Sequence, residues 1–264
     1  MHRRFVIQTA ASLACCGAVG ALSLSDAQTT SMAGGKTLVA AASDLKFALT
    51  DVVDQFERAT THRFALNMGS SGTFTQQIKQ GLPAELFFSA DEGYVFELAD
   101  AGLTRDRGSL YAVGRIALFV PAASNLPLDT ELKGIKDQWT NVTKFAIANP
   151  DHAPYGRAAQ QALQKLGLWE MVRPKLVLGE NISQATQFVS TGAAQVGITA
   201  LSLALAQQVA KVGKHVLLRA DLHAPLRQRM VLMTNAGPAA TALYHYLQTD
   251  QAQATLKKYG FTTR

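Results

Sequence analysis

Ala40-Ala41-Ala42-Ser43-Asp44-Leu45 reads as the end of a strand that turns at once into a helix. Lys36-Thr37-Leu38-Val39 before it is a short apolar run suited to a buried strand, and Leu45, Ala48, Leu49, Val52, Val53 and Phe56 after it recur at helical spacing. Ser43 therefore falls at the seam. A serine there can cap the helix, or the free N–H groups of the first turn can be offered to an anion. One such seam leaves both readings open; its recurrence along the chain is what gives it weight.

Outward from Ser43, strand and helix signals alternate with short connections. Strands are predicted at 37–42, 63–68, 85–89 and 115–120, and helices at 44–59, 73–80 and 92–101. Pro121 stops the fourth strand, and a second series follows. Its strands are predicted at 144–148, 175–178, 195–200, 216–218 and 229–234, and its helices at 155–166, 183–191 and 239–259, with Gly167 and Gly192 ending two of them. This rhythm predicts an α/β fold of two lobes, each a mostly parallel sheet flanked by helices, with a ligand cleft between them. Lobe 1 is expected to span 36–115, with part of 225–264 returning to it, and lobe 2 to span 116–224.

Four seams share one chemistry. After Ser43 comes Met68-Gly69-Ser70-Ser71-Gly72-Thr73, where glycines permit a tight turn and two hydroxyls precede a helix. The third is Asn149-Pro150-Asp151-His152-Ala153-Pro154-Tyr155-Gly156, with proline near a helix start, where its missing N–H costs nothing. The fourth is Gly179-Glu180-Asn181-Ile182-Ser183-Gln184, where either Asn181 or Ser183 can cap the next helix. Four separate caps and one convergent anion site are equally compatible with this spacing.

Composition narrows the function classes. The net charge of +6 is spread without a basic run or interleaved aromatics, which argues against a nucleic-acid partner and suits a small anion. Gly69-Ser70-Ser71-Gly72 lacks the spacing of a nucleophile elbow, and His152 has no evident orienting partner in the sequence, so a serine hydrolase is disfavoured. The six histidines show no metal-ligand spacing, and the first strand turn has no glycine for a dinucleotide. Arg3-Arg4, an apolar run from Phe5 and Ser25-Asp26-Ala27 read as a secretory leader over 1–27, with a twin-arginine export route left open. Both cysteines, Cys15 and Cys16, fall inside it, and lipid attachment at Cys16 is the less favoured alternative to cleavage after Ala27.

Six elements then occur in order: Ala40 to Ser43, Gly69 to Ser71, Gln76 to Ala84, Phe88 to Asp91, Ala148 to Gly156 and Gly179 to Ala185. Together with Lys258-Tyr259-Gly260-Phe261 at the end, they resemble the periplasmic molybdate-binding proteins of ABC importers, over about 36–264. The resemblance implies a type II periplasmic binding fold whose lobes close on a molybdate or tungstate dianion, with no cofactor and no enzymatic activity. It implies a periplasmic monomer that delivers its cargo to a membrane permease. Residue by residue, Ser43 and Ser71 match the family's serine ligands, and Tyr155 and Ile182 match backbone donors at helix starts. All four would meet the metal only through the oxyanion's oxygens. The family often has a tyrosine hydroxyl where this chain has Ala200, and Tyr155 is the expected replacement from the opposite helix.

A site made only of donors suits a fully deprotonated dianion, whereas phosphate near neutral pH carries a proton that needs an acceptor. Asp44 is expected to be a first-turn carboxylate complementing the helix dipole. A receptor for another tetrahedral oxyanion or small anion is the alternative reading.

Overall fold

The computed structural model describes residues 35–263, so the predicted leader, with Cys15 and Cys16, lies outside the described residues. Among these residues the strands are β1 (Thr37–Ala42), β2 (Phe64–Gly69), β3 (Leu86–Ser89), β4 (Ser109–Gly114), β5 (Ile116–Pro121), β6 (Phe145–Ala148), β7 (Leu176–Gly179), β8 (Val196–Ala200), β9 (Gly213–Leu217) and β10 (Leu226–Leu232). They form two five-stranded sheets, ordered β2-β1-β3-β10-β4 and β7-β6-β8-β5-β9. The chain passes from the first sheet to the second at Arg115 and returns between Leu217 and Leu226.

The two sheets share one plan. β1 is parallel to β2 and β3, and β10 runs antiparallel between β3 and β4. In the second sheet β6 is parallel to β7 and β8, and β5 runs antiparallel between β8 and β9. Each sheet is therefore mixed, with a single reversed strand in fourth place and the other four pointing one way. The expectation of mostly parallel sheets flanked by helices is met, and the one reversed strand in each is the detail that apolar runs, which report burial and not strand direction, did not give.

The principal helices are α1 (Lys46–Ala59), α2 (Ser71–Lys79), α3 (Glu92–Asp100), α4 (Lys133–Asp137), α5 (Pro154–Lys165), α6 (Trp169–Val172), α7 (Ile182–Ser190), α8 (Leu201–Ala204), α9 (Gln207–Ala210), α10 (Pro238–Tyr246) and α11 (Asp250–Lys258). β1 shows why both faces of the first sheet are covered. Its alternate residues Val39 and Ala41 pack with Leu49, Val52, Leu243 and Leu256, while Ala40 packs with Phe74, Ile78, Val95 and Leu98. Such side chains each contribute roughly 1.5–3 kcal/mol when fully buried. The core of the second sheet reaches back to the first: Ala42 and Ala90 join the cluster that holds Phe145, Tyr155 and Ile182.

The short helices α4, α6, α8 and α9 have no counterpart among the predicted elements, and longer elements differ from expectation as well. The predicted helix over 239–259 is two helices: the first ends at Tyr246 with Leu247 as its C-cap, and Thr249 caps the second by accepting from the Ala252 N–H (3.4 Å). β4, which has no counterpart among the predicted strands, pairs with β10, 112 or more residues later in the chain, and through Val113 makes one isolated bridge to Thr262.

Candidate functional site

The four seams converge. Each follows the carboxyl end of a parallel strand or begins the next helix, and together they line one small cavity of about 10 Å³ between the sheets. Ser43 and Asp44 line it from the first seam, Gly69, Ser70 and Ser71 from the second, Pro154 and Tyr155 from the third, and Asn181 and Ile182 from the fourth. No Lys, Arg or His is among the lining residues.

Ser43 sits in a 3-10 turn and is buried. Its Oγ donates to Asn181 Oδ1 (3.0 Å) and accepts from the Ser183 N–H (3.2 Å). Asn181 Oδ1 also accepts from the Gln184 N–H (3.1 Å), so Asn181 and not Ser183 is the cap of α7. In the second seam α2 starts at Ser71, two residues earlier than predicted. Ser71 Oγ accepts from the Ala90 N–H (2.9 Å), and its own O–H remains available to the cavity.

The neighbouring serine behaves differently. Ser70 Oγ donates to the His152 carbonyl (2.6 Å), and the Gly72 N–H donates to the same oxygen (3.0 Å). One carbonyl thus ties the first sheet's side of the cleft to the second's. Ser70, His152 and Glu180 do come into line, with His152 Nδ1 at 3.0 Å from Ser70 Oγ and Nε2 at 3.6 Å from Glu180 Oε2. The serine proton is nevertheless committed to a backbone carbonyl, and the Glu180 side chain is mostly exposed. The arrangement bridges the cleft and does not form a nucleophile with an oriented base.

Ser71 and Ile182 open their helices and Tyr155 is second in α5, so their N–H groups lie in first turns, which leave donors without intrahelical partners. Such ends favour negative charge. The Tyr155 hydroxyl does not supply the donor expected in place of Ala200. It donates to Asp44 Oδ2 (3.0 Å), which also accepts from Gln228 Nε2 (2.7 Å), while Tyr111 Oη donates to Gln228 Oε1 (2.7 Å). All four side chains are buried.

Asp44 lies in a first turn, that of the 3-10 element before α1, as expected, and it is also buried. Burial pushes its carboxyl up from the ordinary 3.8 to about 7, against the opposing pull of the hydrogen bonds from Gln228 and Tyr155. A raised acid binds its proton more tightly when folded, so its contribution to stability is complete below about pH 4 and is lost as pH rises through about 7. Denaturant unfolding from pH 4 to 9 should show this loss, and Asp44→Asn should remove that part of the slope. Equal slopes for the two proteins would show that Asp44 titrates normally.

At the cleft's rim, Arg157 of α5 donates to Asp91 Oδ2 (2.5 Å) and to Tyr94 Oη (2.9 Å). Burial alone would lower the Arg157 pKa, but Tyr94 and Asp91 together raise it. With both side chains about a third exposed, the ion pair contributes about 0–1 kcal/mol.

Sequence reasoning missed Gln228, His152's carbonyl and Ala90's N–H. The inward alternation Leu226, Gln228, Met230 on β10 was a usable signal for the first. Nothing in the sequence marks the other two, which are backbone atoms.

Comparison with known proteins agrees with this geometry. Residues 37–262 match the family model described as bacterial extracellular solute-binding protein. The molybdate-binding protein ModA of Azotobacter vinelandii is 37% identical over 226 residues, covering 84% of this chain and 88% of that protein. Its Rhodobacter capsulatus namesake is 35% identical, covering 88% and 90%. The solved structure of an Azotobacter vinelandii periplasmic molybdate-binding protein superposes with a TM-score of 0.79 at 29% identity, covering 87% of this chain and all of that one. A two-sheet α/β fold with its cleft at the strand ends, matched over nearly the whole described chain, places this protein in the bacterial extracellular solute-binding protein family.

Proposed function

We propose that the protein is the extracytoplasmic receptor of an ABC importer, capturing molybdate, and tungstate as well, and presenting it to the membrane permease. The observation that carries this is the meeting of Ser43, Ser71 and the first-turn N–H groups of Tyr155 and Ile182 around one small cavity without a cationic side chain. Hydrogen bonds to a charged group are worth roughly 1.5–3 kcal/mol each, so a handful of them offsets much of the ion's desolvation. The names carried by the Azotobacter and Rhodobacter relatives support the choice of cargo.

In this reading the lobes are 36–115 with part of 225–264, and 116–224, hinged at Arg115 and at 218–225. The closed cleft is a binding state and not a catalytic one. The protein works as a periplasmic monomer after export, and needs no cofactor beyond its cargo. Closure acts by population shift, since only the closed form brings donors from both lobes to the ion.

Thermal unfolding in the presence of molybdate, tungstate, sulfate, phosphate and citrate tests the proposal. A ligand at 1,000 times its Kd adds about 4 kcal/mol, which for a chain of this size is a rise of about 8–16 °C. Molybdate and tungstate are expected to give such a rise and citrate none. The second reading, a receptor for a protonated oxyanion, is favoured by the carboxylate of Asp44 in the cleft wall, and a larger rise with phosphate than with molybdate would establish it instead.

A further inference from the structure

Tyr155 and Asp44 both line the cavity. Ala200 has no hydroxyl, and the hydroxyl of Tyr155 points into the protein. Beside that hydroxyl lies Asp44, which lines the cavity and is 1% exposed. Its two oxygens are unequal. Oδ2 accepts from both Tyr155 and Gln228, whereas Oδ1, equally buried, has no hydrogen-bond partner. The N–H groups of Asp44 and Leu45 bond weakly toward the carboxyl and favour its ionised form, but neither reaches Oδ1 with the geometry of a full hydrogen bond.

An unpaired carboxylate oxygen in a dry wall is costly, and a dianion placed next to it would add like-charge repulsion. A proton on Oδ1 removes both penalties. Oδ2 already accepts two hydrogen bonds, so a proton on this carboxyl belongs on Oδ1.

We propose that Asp44 is a further ligand of the oxyanion and binds it as a neutral acid, with Oδ1–H donating to one oxyanion oxygen. Where Asp44 is ionised beforehand, closing on the dianion takes one proton from solvent and leaves the carboxylic acid hydrogen-bonded to an intact dianion. The inference rests on the oxyanion reading above. It makes Asp44 a specificity residue, because a ligand that brings its own proton leaves Oδ1–H facing another O–H.

The groups around Asp44 fit a neutral acid. Tyr155 from α5 and Tyr111 from β4 face it, and burial together with the charge of Asp44 keeps both phenols protonated. Gln228 faces it from β10, and Ser202 of α8 donates to its backbone carbonyl (2.7 Å). The nearby arginines are engaged elsewhere: Arg227 and Arg229 with Glu92, and Arg115 with the Leu218 carbonyl. The rise of the Asp44 pKa to about 7 places the proton uptake in a range that can be measured.

The test is calorimetric titration of the protein with sodium molybdate between about pH 6 and 9, in paired buffers that differ in heat of ionisation. Proton uptake should be small at about pH 6 and approach one per molybdate above about pH 8, where Kd should rise about tenfold per pH unit. Asp44→Asn, whose amide is also a donor, should bind molybdate with no proton uptake and a Kd independent of pH. Wild-type binding without proton uptake at about pH 8.5 would overturn the proposal. So would a folded Asp44→Asn that takes up protons as the wild type does or has lost molybdate binding at every pH. If that variant fails to fold, the wild-type proton count decides. Phosphate binding more tightly than molybdate would also overturn it, since Asp44 would then be an acceptor. An absence of molybdate binding by the wild type at every pH would instead refute the receptor reading itself.

Discussion

Replacing Ser43 and Ser71 together by alanine is expected to weaken molybdate binding by about 10²–10⁴-fold. In the proposed complex each hydroxyl donates to the charged ligand, Ser43 by exchanging its bond to Asn181 Oδ1 for one to the ion; such a bond is worth roughly 1.5–3 kcal/mol, and the two enter the cavity from different seams, so their losses should roughly add. The single variants should each lose about ten- to a hundredfold. The substitutions also strip an acceptor from the Ser183 and Ala90 N–H groups, so some loss of unliganded stability will accompany them. Calorimetric titration, alongside unfolding without ligand, separates the two effects. A folded double variant that binds molybdate within about threefold of the wild type would remove both serines from the site.

Gly72→Ala is expected to hold the cleft open. A Cβ at Gly72 would lie 2.6 Å from the His152 carbonyl oxygen and 3.0 Å from the His152 Cα. Those are backbone atoms of the opposite wall, which can retreat only if the two sides separate. The same change would cost the Gly72 N–H bond to His152, while alanine in the first turn of α2 suits the helix better than glycine. Affinity should fall by about a hundredfold or more, because the Tyr155 and Ile182 donors no longer reach the ion, and unliganded stability should change little. Solution scattering should show the wild type compacting on molybdate and the variant failing to do so. Full compaction and unchanged affinity in the variant would show that the His152 contact is not required for closure.

Much of the fold was legible because buried strands and amphipathic helices leave strong local patterns. Val39 to Ala42 and Leu45 to Phe56 sit within a residue or two of their expected positions. Strand direction was not legible, since β5 and β10 look like any other apolar run. The serines and helix starts of the site were visible as seams, because a cap and a ligand donor require the same residue types. The role of Asp44 was hidden for a physical reason: whether a first-turn carboxylate meets water or a buried glutamine depends on β10, 182 or more residues away. The bridge through the His152 carbonyl was equally invisible, as a backbone oxygen carries no sequence signature.

β10 lies between β3 and β4 in the first sheet, yet it is made last of all the strands. A chain emerging from the ribosome as far as Pro225 holds β4 with no neighbour to bond and β3 with one edge bare. The amino-terminal half therefore cannot complete its sheet during most of synthesis, and final assembly waits for the last forty or so residues. The second sheet has no such wait, since β5 to β9 are contiguous in the chain, so the sheet begun first is the one completed last.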